Sequence, residues 1–297
     1  MKKVILLLTS VVVVLALFAG CSGANTGNTI RIGVNYELTG KVASYGEDSV
    51  QGIELAVEEI NAAGGIDGKE IEIVKYDNKS DEALATTLAT RLMTQDKVLA
   101  VLGPATSGAF KATIPTAIQN KIPVASGSTT ADDITVDDNG VKEYAFRICF
   151  SDNYQGTGMA NYAIDRLNAA KAVIIVDNSS DYGKGLAEAF TNAFKEGGGS
   201  IVAQEAYVAG DTNFNSIITK IKGEEFDVIF IPGYYEEAGL IIKQAREQGI
   251  TVPILGADGF DSPDLAKLAG DEALNDVYYS NHFSSLDVDP VVQNFIE

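Results

Sequence analysis

Short β-branched runs alternate with amphipathic stretches along this chain, and the alternation occurs twice in tandem. That pattern constrains the possible folds more than any other feature. The first series opens with Ile30-Arg31-Ile32-Gly33-Val34, a strand pattern. Residues 47–62 then place Val50, Ile53, Leu55, Ala56, Val57 and Ile60 on one helical face, and Gly64-Gly65 supplies a left-handed end. Strand patterns at 71–74, 98–102 and 122–125 alternate with helical patterns at 81–93 and 107–119. The same order restarts after Phe150, with helices at 152–167, 182–195, 213–221 and 236–248. Strands at 172–176, 200–207, 226–231 and 253–255 interleave with them. Such alternation gives parallel sheets covered by helices on both faces. The expected fold class is therefore α/β, with two doubly wound parallel-sheet lobes joined by hinge strands. Lobe 1 is expected over 30–148, lobe 2 over 149–280, and an incomplete return to lobe 1 over 281–297. The hinge crossings fall near 146–151 and 278–283. Asp289-Pro290 opens a helical pattern inside which the chain stops, so the expectation is a chain shortened at its C-terminus.

The N-terminus belongs to targeting rather than to the fold. Lys2 and Lys3 precede an apolar run over 4–19 that is shorter than the roughly 20 residues needed to cross a bilayer. Small residues then lead to Cys21. Residues 1–20 are expected to be a lipoprotein signal peptide, Cys21 the lipidated N-terminus, and 21–29 a Ser/Gly/Asn/Thr-rich tether. This places the protein outside the cytoplasm, on the membrane through its lipid. The other cysteine, Cys149, then has no intrachain partner and is expected to be a small buried hydrophobe.

The formal charge of −19 argues against nucleic acid and against docking on anionic lipid. Catalysis has little to work with: His282 is the single histidine, and phosphate-binding or nucleophile-elbow motifs are lacking. No enzyme, metal site or cofactor is expected, and the chain is expected to act as a monomer.

Ligands of parallel α/β folds bind at the carboxyl ends of the strands. In the first series, 98–102 runs into Gly103-Pro104-Ala105-Thr106-Ser107-Gly108, where a hydroxyl and free N–H groups at a helix start suit a carboxylate. The next strand delivers Ser126-Gly127-Ser128-Thr129-Thr130 to the same edge. Either hydroxyl group can equally be a structural cap. In the second series Tyr182 and Tyr234 can wall an apolar pocket, and Asp258 can meet an ammonium or form an ordinary Asp-Gly turn.

These residues resemble the leucine/isoleucine/valine-binding proteins of the type I periplasmic binding fold. The resemblance rests on Leu38-Thr39-Gly40, Ala43-Ser44-Tyr45-Gly46, the run from Glu58 to Gly68, Gly103 to Gly108, Asp181-Tyr182-Gly183, Gly233-Tyr234-Tyr235 and Gly256-Ala257-Asp258-Gly259. It implies carboxylate anchors at Ser107 and Thr129, with Ala105, Thr106, Gly127 and Ser128 beside them. It also implies an ammonium partner at Asp258 and cleft aromatics at Tyr45, Tyr182 and Tyr234. The loop around Thr129 departs from the proline-containing form of the family. Implied partners are L-leucine, L-isoleucine or L-valine and the membrane permease of an ABC importer. An amide, urea or other amino acid as cargo, and a sensing role without transport, remain open alternatives.

Overall fold

A computed structural model describes residues 29–296. The expected signal peptide and Cys21 lie outside the described residues, as does the expected tether apart from Thr29. Strand β1 (Thr29–Tyr36) leads into helix α1 (Ala43–Ala62), β2 (Glu70–Asp77), α2 (Glu82–Thr94), β3 (Ala100–Leu102), α3 (Ser107–Asn120) and β4 (Val124–Ser126). A two-stranded hairpin, β5 (Val136–Asp137) and β6 (Gly140–Val141), precedes β7 (Ala145–Arg147). The first sheet is parallel throughout, in the order β2-β1-β3-β4-β7. Its two faces carry separate cores, one around Leu92, Phe110 and Ile134 and the other around Val34, Tyr36 and Val50.

The second half repeats the arrangement. Its elements are α4 (Asp152–Asp165), β8 (Lys171–Asp177), α5 (Asp181–Glu196), β9 (Ser200–Tyr207), α6 (Asn215–Ile221), β10 (Val228–Phe230), α7 (Tyr235–Glu247), β11 (Ile254–Gly256), α8 (Pro263–Ala269), β12 (Val277–Tyr279) and α9 (Pro290–Ile296). The sheet order is β12-β11-β10-β8-β9, again parallel. Residues Ala172 to Asp177 of β8 are all buried, as a strand covered on both faces should be. Phe190, Phe194 and Phe230 stack on one face, while Ile218, Ile229, Ile241 and Phe260 fill the other.

Side-chain caps mark several helix starts where the sequence has Asp or Ser. Asp81 accepts Leu84 N–H at 2.6 Å, Ser151 accepts Tyr154 N–H at 3.3 Å, and Ser180 accepts Gly183 N–H at 3.2 Å.

Three expectations change. Helix α1 starts at Ala43 rather than Glu47, which brings Tyr45 into its first turn. Gly46 permits this, because a Cβ there would lie 2.1 Å from the Glu37 carbonyl oxygen. Tyr278, read as part of a crossing, lies in β12 at the edge of the second sheet, so the segment beside the first hinge begins at Ser280. The hairpin and α8 had no place in the sequence reading; both are short, and α8 is only two turns long.

The two halves touch directly. Val42 of the first is buried in the second half's core. Tyr235 donates to the Lys41 carbonyl at 3.1 Å, the Ser262 and Ser44 hydroxyls meet at 2.9 Å, and Lys111 pairs with Asp181 at 2.9 Å. These contacts bridge the cleft between the sheets' carboxyl ends.

Candidate binding cleft

A cavity of about 170 Å³ lies between the two sheets at the carboxyl ends of their strands. That is below the ~300–1,000 Å³ of pockets for drug-sized ligands and suits a small metabolite. Of the residues expected at a site, Tyr45, Ala105, Thr106, Ser107, Ser128, Tyr182, Tyr234 and Asp258 line it. Gly127 and Thr129 do not. Gly127 faces solvent and Thr129 is fully buried behind the wall.

The first-lobe wall is built by the loop after β3. Gly103 carries a positive φ of 87°, and a Cβ there would sit 2.4 Å from the Asn35 carbonyl oxygen, so only glycine lets the loop pass so close to β1. The loop is then held from below by Glu37, at the end of β1. Its carboxylate accepts Ala105 N–H at 2.9 Å, Thr106 N–H at 3.2 Å and the Thr106 hydroxyl at 2.9 Å. The Ser128 hydroxyl donates to the Ala105 carbonyl at 2.9 Å. The N–H of Ala105, expected to help bind a ligand, is therefore committed to Glu37. Burial pushes the Glu37 carboxyl upward, opposed by its hydrogen bonds to Ala105 and Thr106. Sequence reasoning missed Glu37; the one trace was an acidic residue closing an apolar strand pattern.

Ser107 opens α3, and its Oγ accepts Ala131 N–H at 3.1 Å, which leaves the hydroxyl proton free to donate. Thr129 Oγ1 is buried without a hydrogen-bond partner.

The second-lobe wall is aromatic and acidic. Tyr182, near the start of α5, stacks on Tyr234 with centroids 5.0 Å apart and planes within 3°. Tyr45 reaches across from the first lobe to meet Tyr234 edge-on at 5.8 Å and Tyr235 at 5.2 Å, and its hydroxyl donates to the Gly259 carbonyl. Asp258 follows β11. Its Oδ1 accepts the Tyr182 hydroxyl at 2.6 Å and Gln155 Nε2 at 2.9 Å, while Oδ2 lies 3.2 Å from His282 Nε2. Asp258 is thus no simple turn residue. Gln155 Nε2 also donates to Asp152 Oδ1 at 3.1 Å, and the Thr130 hydroxyl lies beside the same carboxyl. Burial, reinforced by the nearby Asp258 charge, pushes the Asp152 carboxyl up to about 7.

Asp48, Ser49, Gly259, Asp261, Asn281 and His282 also line the cavity and were missed, because nothing local marks them as converging. Cys149 is only half-buried, a departure from the expected core role; its Sγ lies 3.4 Å from the Thr129 carbonyl, and burial pushes the thiol up to about 11.

A family model described as "Periplasmic binding protein" matches residues 29–297. The chain belongs to the periplasmic binding protein family. Among curated relatives, an amino acid binding protein of Pseudomonas aeruginosa is 36% identical over 245 residues, covering 81% of this chain and 63% of that protein. The Leu/Ile/Val-binding protein of Escherichia coli K12 is 30% identical over 263 residues, covering 87% of this chain and 70% of that one. The chain thus spans less than two thirds of the Pseudomonas protein's length. Two solved structures superpose with TM-scores of 0.84. LivJ of Streptococcus pneumoniae, in complex with isoleucine, is 46% identical, covering 90% of this chain and 75% of that one. The leucine binding protein LivK of Thermotoga maritima is 32% identical, covering 90% and 74%. The two lobes of this periplasmic binding protein meet around the cleft that Tyr45, Ser107, Tyr182, Tyr234 and Asp258 line.

Proposed function

We propose that this protein is the extracytoplasmic solute-binding component of an ABC importer and captures L-leucine, L-isoleucine or L-valine by lobe closure. One observation carries the reading: unlike chemistry faces itself across the small cleft. Lobe 1 brings the hydroxyl of Ser107 and the first turn of α3, whose N–H groups have no partner within the helix, with Thr129 buried behind them. Lobe 2 brings Asp258. A zwitterionic amino acid satisfies both at once, carboxylate to lobe 1 and ammonium to lobe 2, and so bridges the lobes. Its side chain then lies among Tyr45, Tyr182 and Tyr234. Gly127 and Ser128 shape the loop that carries Thr129, and Thr106 and Ala105 keep their place as wall residues tied to Glu37. The branched-chain cargo is supported by the isoleucine-bound relative.

The ligand binds one lobe first, and the second swings in to complete the site. A preference of a few kcal/mol for the closed state is enough to shift an open–closed balance. The closed form presents a surface that the importer's membrane permease distinguishes from the open one. A lipid on Cys21 holds the receptor, a monomer, beside that permease. Nothing in the sequence of events requires catalysis or a cofactor.

A thermal-shift screen of the chain against the common L-amino acids, urea, short amides and benzoate tests the cargo. A ligand at a hundred times its dissociation constant stabilises the fold by about 2.7 kcal/mol. The expected rise is confined to leucine, isoleucine and valine; a rise with urea, amides or benzoate alone overturns the cargo.

A further inference from the structure

We propose that His282 is a positioning residue of the cleft: it shares Asp258 with the ligand's ammonium and makes capture weaken as the imidazole takes up a proton. The proposal rests on the amino-acid reading above.

The geometry singles out one oxygen. Asp258 Oδ1 is occupied by two donors that packing holds in place. Tyr182 is 3% exposed and stacked on Tyr234, and its oxygen also accepts Gly259 N–H at 2.8 Å. Gln155 is 2% exposed; its Oε1 accepts Asp258 N–H at 3.2 Å and the Ser280 hydroxyl at 2.9 Å. These bonds fix the carboxylate's rotation and leave Oδ2 to His282. Unlike the first two partners, the His282 side chain is 30% exposed, so it can yield. An incoming ammonium therefore meets Asp258 at Oδ2, beside the imidazole.

The charge of that imidazole decides what the ammonium meets. A neutral ring donating through Nε2 leaves Oδ2 its negative charge. An imidazolium forms an ion pair with Asp258 and opposes a second cation at the same oxygen. Binding is then linked to release of the imidazolium proton to solvent, and affinity falls as the charged ring becomes the dominant form.

Other charged and titratable groups surround the pair. Asp261 and Asp48 line the same cavity from lobe 2 and lobe 1, Tyr45 and Tyr182 face it, and Asp152 on α4 is connected through Gln155. On the hinge, Arg147 and Cys149 lie close by. Asp152 titrates too, so the test must isolate His282 rather than record any pH dependence.

His282 also ties the site to the hinge. Its ring stacks on Phe150 with centroids 4.2 Å apart and planes within 11°, joining the segment after β12 to the segment before α4. The residue that shares Asp258 thus sits where the chain passes between the lobes.

The test is isothermal titration calorimetry of L-leucine into the full chain and its His282→Gln variant, which keeps a donor but cannot titrate. Each is measured at about pH 5.5 and about pH 8, in two buffers of different ionisation enthalpy. The unaltered protein is expected to lose roughly five- to tenfold in affinity at the acid pH, with measurable proton release on binding. His282→Gln, whatever its affinity at the higher pH, is expected to lose most of the acid-side weakening and of the proton release. His282→Asn serves as a second variant should the first fail to fold. Equal pH profiles and equal proton release in variant and unaltered protein overturn the proposal while leaving the cargo intact. No leucine binding by the unaltered protein at either pH overturns the cargo reading and this proposal with it.

Discussion

The two walls of the cleft solve the same problem in opposite ways. Around Ser107 lobe 1 presents neutral hydroxyls and backbone dipoles, with Asp48 elsewhere on its wall, and commits the buried carboxylate of Glu37 to ordering the loop that carries them. Lobe 2 presents a carboxylate directly to the cleft and spends its neutral groups, Tyr182 and Gln155, on ordering that charge. A zwitterion needs an electropositive surface at one end and a negative one at the other. The acid is structural on one side and functional on the other, and only its neighbours distinguish the roles.

If that contrast holds, the largest loss follows from neutralising the functional acid. Asp258→Asn should weaken leucine binding by about 2–5 kcal/mol, since truncating one partner of a buried charge pair strands the other. Calorimetry checks this, and a loss below tenfold would mean that the ammonium is met elsewhere.

Next in size is a stability effect from the acid behind it. Folding raises the Asp152 carboxyl from an ordinary 3.8 to about 7, so stability from this group is fully present below the lower value and is lost as pH rises through the upper one. Asp152→Asn should flatten that decline and leave the empty protein about 1–3 kcal/mol more stable near pH 8. Thermal unfolding across pH gives the slope directly; an unchanged slope would remove Asp152 as its source.

A smaller effect of mixed sign sharpens the account of lobe 1. Thr129→Val removes a buried hydroxyl that lacks a partner, so the empty protein should gain up to about 1 kcal/mol. The same change should cost roughly fivefold or more in affinity if the hydroxyl meets the ligand's carboxylate. Melting with and without leucine separates the two, and a variant that is no weaker a binder would make Thr129 purely structural.

The smallest effect concerns closure itself. Lys111 pairs with Asp181 across the lobes at 2.9 Å and with Asp133 of its own lobe at 2.7 Å. Both carboxylates are partly exposed, so Lys111→Gln should weaken all ligands alike by no more than ~1 kcal/mol, and less at high salt. A loss that depends on the ligand's side chain would place Lys111 in the pocket rather than in the closure.

Periodicity was sufficient for the architecture. Alternation of β-branched runs and amphipathic stretches depends on which faces of each element are buried, so two parallel sheets, their order along the chain and most helix limits were legible without coordinates. The loops that end β3, β4, β8, β10 and β11 were legible too, because parallel strands deliver their carboxyl ends to one edge. From them came Ser107, Tyr182, Tyr234 and Asp258. The chain's own pattern could not show which loop atoms turn toward the cleft. Ser128 and Thr129 are adjacent, yet one lines the cavity and the other is buried behind it. Glu37 reaches its partners over 68 and 69 residues, and Asp258 lies 24 residues from His282 and 103 from Gln155. No local signal records such pairings. They exist because the packed lobes hold distant segments at hydrogen-bond distance, and only in that environment does one carboxylate become a brace and another a ligand-facing charge.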